Sequence, residues 1–118
     1  MNNTLTLVLD TNQTDVEIFL EDQPKGCIID LDLTKVNKIY LKQTGPDIGK
    51  FFLIKKVMLG SLDITELMHY DDLCKVYNKN TNKLIGDFVP DIGNPDLVCI
   101  TIGPDIYEKM VKYARFIR

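Results

Sequence analysis

Tryptophan is missing from this 118-residue chain, and alanine occurs once, at Ala114. Alanine is the best helix former, so its absence from residues 1–105 argues against long helices there. Cysteine is scarce and odd in number, with Cys27, Cys74 and Cys99 far apart. There is no CxxC pair and no zinc-ligand spacing, which excludes the common metal and redox motifs and leads us to expect neither metal nor cofactor. All three cysteines lie in apolar segments and are expected to be buried thiols. Apolar runs reach only four residues, as in Phe51–Ile54, whereas a membrane-spanning helix needs about 20, so no membrane partner is expected. The opening "MNNTLTLVLD" lacks the basic and long apolar regions of a secretory signal. Seventeen acidic against 14 basic residues leave a net charge of −3, which does not favour a nucleic-acid surface.

What is present is period-two alternation. "TLTLVL" sets Leu5, Leu7 and Leu9 on one face; "DVEIFL" does the same with Val16, Ile18 and Leu20. "CIIDLDL" turns Cys27, Ile29, Leu31 and Leu33 inward and Asp30 and Asp32 outward. "NKIYLKQ", "FFLIKKVML", "SLDITEL", "LCKVYN", "KLIGDF" and "LVCITI" complete about nine short segments, spaced as in a sandwich or barrel. "FFLIKKVML" is long and nearly continuous, and a strand covered on both faces is expected there. Parallel crossovers need a dozen or more residues each, which these connections do not supply. The exception is the end. In "GPDIYEKMVKYARFIR", Ile106, Met110, Tyr113, Ala114 and Ile117 share one side, and Lys109, Lys112, Arg115 and Arg118 fan over the other. An amphipathic helix over residues 104–117 is expected, with Pro104 in its first turn. The whole chain, 1–118, reads as one domain.

The tripeptide Pro-Asp-Ile occurs three times, beginning at Pro46, Pro90 and Pro104. Proline presets φ and aspartate bonds the backbone ahead of it, so the tag reads as punctuation between strands. A sharper reading gathers Asp47, Asp91 and Asp96 at one rim, where they would bind calcium or sugar hydroxyls. His69, beside Asp71 and Asp72, has the parts of a base with its orienting acid, but no nucleophile motif accompanies it and no enzyme is expected. Sugar rings stack on flat apolar surfaces. Without tryptophan that role falls to Tyr40, Tyr70 or Tyr77, and Tyr40 lies opposite Ile39 and Leu41 in its strand, pointing outward. The basic fan of Lys109, Lys112 and Arg115 suits the wet side of a helix or a contact with an acidic neighbouring subunit.

The stretch "FFLIKKVMLGSLDIT", residues 51–65 of the 118, resembles the strand-turn-strand near the middle of jelly-roll carbohydrate-binding modules and of β-sandwich domains on phage structural proteins. In those domains an apolar strand ends at a glycine-containing turn and a short apolar strand follows. The fold expectation is therefore a mainly β chain, a single antiparallel β-sandwich, jelly-roll or Ig-like, with a C-terminal α-helix. The functional expectation is a non-enzymatic structural or decoration subunit working through contacts with other protein subunits, as a homo- or hetero-oligomer, in a larger assembly such as a phage virion. A carbohydrate-binding module with a polysaccharide ligand is the alternative. Localisation follows: a virion or other extracellular assembly, otherwise the cytoplasm.

Overall fold

A computed structural model describes residues 3–12, 16–43, 51–69, 73–78, 83–87, 91–92 and 96–114. In chain order the strands are β1 (Thr4–Asn12), β2 (Val16–Leu20), β3 (Gln23–Lys25), β4 (Ile28–Asp30), β5 (Asn37–Gln43), β6 (Phe51–Leu59) and β7 (Leu62–Asp63). A 3-10 turn (Glu66–His69) follows, then β8 (Cys74–Asn78), β9 (Leu84–Asp87), β10 (Asp91–Ile92), β11 (Asp96–Ile102) and the helix α1 (Ile106–Ala114).

The strands form two antiparallel sheets, as the alternation predicts. The smaller runs β10-β6-β1-β4, with β7 also paired to β6, and the larger runs β3-β2-β5-β11-β8-β9. Their inner faces supply one core. Leu5 and Leu7 of β1, Ile29 of β4, and Ile54, Val57 and Leu59 of β6 come from the smaller sheet. Ile39 and Leu41 of β5, Val98, Ile100 and Ile102 of β11, and Cys74 and Val76 of β8 come from the larger. Leu31, which follows β4, is buried with them. Among the described residues Asn37 is the buried polar exception, at 2% exposure. Its Nδ2 donates to the carbonyls of Asp32 (2.8 Å), Lys35 (3.1 Å) and Ile102 (3.1 Å). It thereby fastens the β4–β5 loop to the end of β11, and a buried amide with such partners avoids the desolvation cost it would otherwise carry.

Several local expectations need correction. The β6 segment is not covered on both faces: Lys55 and Lys56 are exposed, while Ile54, Val57 and Leu59 are buried. The register shifts between Val8 and Leu9 of β1, which face Lys56 and Ile54 of β6. One extra residue on β6 thus resets its alternation, as a bulge does. "SLDITEL" is a strand for only two residues. Asp63 Oδ1 accepts from the Thr65 N–H (2.9 Å) and hydroxyl (2.6 Å), and the chain turns into the 3-10 segment, where Leu67 and Met68 are buried. Cys27 is exposed, because β4 begins one residue later and Cys27 occupies the bend before it.

The helix begins two residues later than expected, at Ile106, and Pro104 precedes it. Asp105 is the cap residue, whose carbonyl accepts from the Lys109 N–H at 3.0 Å. Ile106 is fully buried in the core, with Tyr107 and Met110 half-buried beside it, so the apolar side of α1 docks on its own sandwich. Residues 115–118 and the side chains of Tyr113 and Ala114 lie outside what is described. No helix among the described residues is long and apolar enough to cross a membrane.

Candidate functional site

The register fixes what stands on the outer face of the larger sheet. Along β11, Val98, Ile100 and Ile102 go inward, so Leu97, Cys99 and Thr101 go outward. On the β5 side they face Lys42, Tyr40 and Lys38 respectively. On the β8 side Leu97 faces Tyr77 and Cys99 faces Lys75. The central strand carries the shorter side chains and its neighbours the longer ones. The result is a groove of about 260 Å³ along β11, lined by Lys38, Tyr40, Lys75, Tyr77, Leu97, Cys99 and Thr101. With strands about 4.8 Å apart, its walls stand about 10 Å from each other. Phe19 of β2 faces Tyr40 from outside and extends the aromatic surface by one strand.

The groove is chemically quiet at neutral pH. Tyr40 is half-buried, and desolvation, with the nearby Cys99 thiol second, raises its phenol above the ordinary value. It therefore stays a neutral hydroxyl that can donate. Burial also raises Cys99, against the opposing pull of Thr101, Lys38 and Tyr40. The Cys99 sulfur lies 3.9 Å from the Thr101 hydroxyl. A thiol held neutral in this way is a weak nucleophile. At the Lys38 end stands Glu21, whose N–H donates to the Lys38 carbonyl (2.9 Å) and whose carboxylate accepts from the Lys38 N–H (3.3 Å). Those two bonds hold Glu21 at φ 57°, a left-handed conformation unusual for a residue with a side chain.

The smaller sheet has a different outer face. Met58 of β6, Thr6 of β1 and Ile28 of β4 form one row across it, and Val8 follows Thr6 along β1. Ile28 is 69% exposed and Val8 41%. Lys56 stands opposite Val8.

Of the residues singled out in the sequence, Tyr40 and Tyr77 stand on opposite walls of the groove, two residues out of step along it. Asp47 and Tyr70 lie outside the described residues. Asp91 lies in β10, on the smaller sheet, and Asp96 opens β11, on the larger; their side chains are not described. Lys109 pairs with Asp105 at 3.4 Å on the helix surface, Lys112 is exposed, and Arg115 lies beyond the described residues. The His69 side chain and Asp71 and Asp72 are likewise outside. An acidic cleft that the sequence did not suggest, about 310 Å³, opens where Glu21, Asp22, Asp30 and Asp32 approach Lys35 and Asn37. Among the described residues no three carboxylate, histidine or cysteine side chains converge as metal ligands would. The Asp32 carboxyl is committed to Thr34, whose hydroxyl (2.5 Å) and N–H (3.0 Å) both donate to it and hold it below the ordinary carboxylate value.

Reading strands singly predicts that Tyr40 points outward. It misses that Tyr77, Cys99, Lys38, Lys75, Leu97 and Thr101 join it, because strand order decides that. Comparison with known protein families, with curated proteins and with solved structures finds no match to this chain.

Proposed function

We propose that this chain is a non-enzymatic structural subunit that joins a larger assembly, such as a phage virion, through protein–protein contacts. The observation that carries this reading is the outer face of the smaller sheet. Ile28 and Met58 flank Thr6 there and Val8 lies beside it along β1, grouping three apolar side chains on the outer face, with Ile28 69% exposed. An antiparallel sheet with one solvated face normally alternates apolar-in and polar-out. Apolar residues grouped on the solvent side fit a protein neighbour, because they offer area to bury and few polar atoms to match. A standard interface takes about 800 Å² from each partner.

The test is native mass spectrometry of the chain mixed with the products of its genomic neighbours. The intact chain is expected in a defined complex. Ile28→Glu and Val8→Glu, both at exposed positions, are expected to fold normally and to lose the complex by about tenfold or more in affinity. Complexes that form unchanged with both substitutions would remove this face from the mechanism.

A second reading has its own observation. Tyr40 and Tyr77 stand on opposite walls of the groove on the larger sheet, and their rings offer flat apolar faces with a polar tip, which suit sugar rings.

A further inference from the structure

We infer that the free edge of β4 accepts an extended strand from a partner subunit, one that carries an apolar and a basic side chain on the same face. This rests on the subunit role proposed above and specifies the partner's chemistry. Three observations carry it.

The first is the hydrogen-bonding state of the edge. β4 ends the smaller sheet and pairs with β1 alone. The Cys27 carbonyl accepts from the Leu7 N–H at 2.8 Å, and the Leu31 N–H donates to the Asn3 carbonyl at 3.1 Å. Backbone groups alternate sides along an antiparallel strand. Those of Cys27, Ile29 and Leu31 therefore turn toward β1, and those of Ile28 and Asp30 turn away from it. Neither Ile28 nor Asp30 has a described partner for these groups, and each offers one donor and one acceptor. Residues 21–28 and 30 are exposed, and Gly26, just before β4, has open space beside it. An added strand can reach this edge and complete its ladder.

The second is the contrast with the adjoining edge. The chain passes from β3, which ends the larger sheet, directly into β4. Pro24 sits in the middle of β3 opposite Phe19. It has no N–H to offer a newcomer, which is one way that an edge is blunted. β4 has neither proline nor lysine. Its outward side chains are Ile28, 69% exposed, and Asp30. An apolar side chain on the added strand would lie beside Ile28 and continue the row of Met58, Thr6 and Ile28.

The third is charge. The acidic cleft opens at the Asp30 end of β4, and Lys35 is the one cation among its described lining residues. Lys35 stands near Asp32, and the Glu21 carboxylate lies at the Lys38 backbone. Setting these two lysines against these two acids leaves Asp22 and Asp30, and neither has a described ion pair. Asp30 accepts from the Thr4 hydroxyl at 3.0 Å, a neutral donor that leaves its charge in place. Ile28 and Asp30 share a face, being two apart. A lysine or arginine two residues from the apolar contact therefore falls opposite Asp30, where an opposite charge is favourable.

The experiment uses a labelled seven-residue probe peptide of threonines alternating with arginine, valine and arginine, so that valine is flanked by a basic residue in either strand direction. Binding is followed by fluorescence anisotropy, and protection by NMR amide exchange on the full chain. The probe is expected to bind and to slow exchange at the Ile28 and Asp30 amides by about tenfold or more. N-methylation of the probe at valine and arginine, or at the threonines, blocks one or the other of its edges. One of these two probes should lose binding and the other keep it. Replacing both arginines by glutamate should weaken binding by about tenfold. Asp30→Asn, which keeps an acceptor for Thr4, should weaken it too. Asp30→Pro, which removes an outward N–H and keeps the Ile28 side chain, should abolish it. The remote Glu108→Gln should leave it unchanged. Circular dichroism and urea melts check folding, and the N-methylated probes decide the matter where Asp30→Pro fails to fold. No binding up to about 1 mM, or binding without protection of these two amides, would overturn the inference. So would binding indifferent to both N-methylations, or equal loss in Glu108→Gln, either of which is charge attraction without strand pairing. Equal binding of the glutamate probe would overturn the basic character of the partner. A dimer of the chain alone in sedimentation, lost in Asp30→Pro, would make the occupant a second copy and overturn the inference. The probe needs no native partner, so the two proposals are read separately. Complexes in the mass spectra that are lost in Ile28→Glu and Val8→Glu but intact in Asp30→Pro would keep the apolar face and remove the edge.

Discussion

At the scale of single residues, burial decides what each cysteine can do. Burial, with Cys99 nearby, pushes the Cys74 thiol up to about 12, so almost no thiolate exists at neutral pH. Cys99 is raised in the same sense and is only 7% exposed. Cys27 sits at an exposed bend. Titration with a disulfide reagent in native buffer is therefore expected to register one fast thiol, Cys27, and two more only as denaturant unfolds the chain. Two fast thiols would mean that β8 or β11 is less well packed than described. The apolar neighbourhoods of all three cysteines are visible in the sequence. That Cys27 escapes burial is not, because it depends on β4 starting at Ile28, and a strand's first residue is set by the partner it meets. The alternation Leu5-Leu7-Leu9 on β1 and Ile39-Leu41 on β5 is legible because a half-buried strand advertises itself every second residue.

At the scale of elements, the bulge in β6 shows where that legibility ends. Ile54 and Val57 are three apart yet both buried, and no period-two reading accommodates that without a partner strand to count against. The extra residue has a consequence for hydrogen bonding. The Val57 N–H donates to the Thr65 hydroxyl at 2.9 Å, and that hydroxyl donates onward to Asp63 Oδ1. Thr65 thus links the bulge to the end of β7, and the Ile64 N–H closes on the Val57 carbonyl at 2.9 Å. The Thr65 hydroxyl first, and its N–H second, hold the Asp63 carboxyl below its ordinary 3.8. A depressed carboxylate contributes stability that is fully present above the ordinary value and is lost as pH falls through the folded one. Asp63→Ala is therefore expected to lower urea stability at pH 7 and to matter progressively less as pH drops below 3.8. Solvent screens this exposed position, so the effect is modest. A difference between the two chains that stays constant from pH 7 down to about 2.5 would mean the charge plays no part. The same scale explains the Pro-Asp-Ile tags. The second enters a strand and the third caps a helix, with Ile106 inserted into the core; identical tripeptides punctuate differently because their neighbours do.

At the scale of the whole molecule, α1 belongs to the domain it follows. Ile106 has no exposed surface and sits among Leu67, Met68 and the core of the sandwich. Ile106→Ala is expected to cost about 2–5 kcal/mol in urea melts, and deletion of residues 104–118 is expected to abolish cooperative unfolding. A truncated chain that still unfolds cooperatively would mean the sandwich is complete without the helix. The outward side keeps Val111 at 74% exposure beside Lys112. Fold class was legible in the sequence because it needs only the number and period of the strands; the groove was not, because it needs their order. That order also sets a timetable for folding. Asn37 bonds Ile102 across 65 residues, and β11 is the strand that joins β5 to β8. A chain emerging from a ribosome carries β2, β3 and β5 long before their central partner exists. Loops of that length close slowly, and an unfilled place beside β5 is an open edge that another nascent chain can occupy. The strand on which the larger sheet depends is thus synthesised after every strand it organises, and until it arrives the unfinished sheet is exposed to pairing with the wrong neighbour.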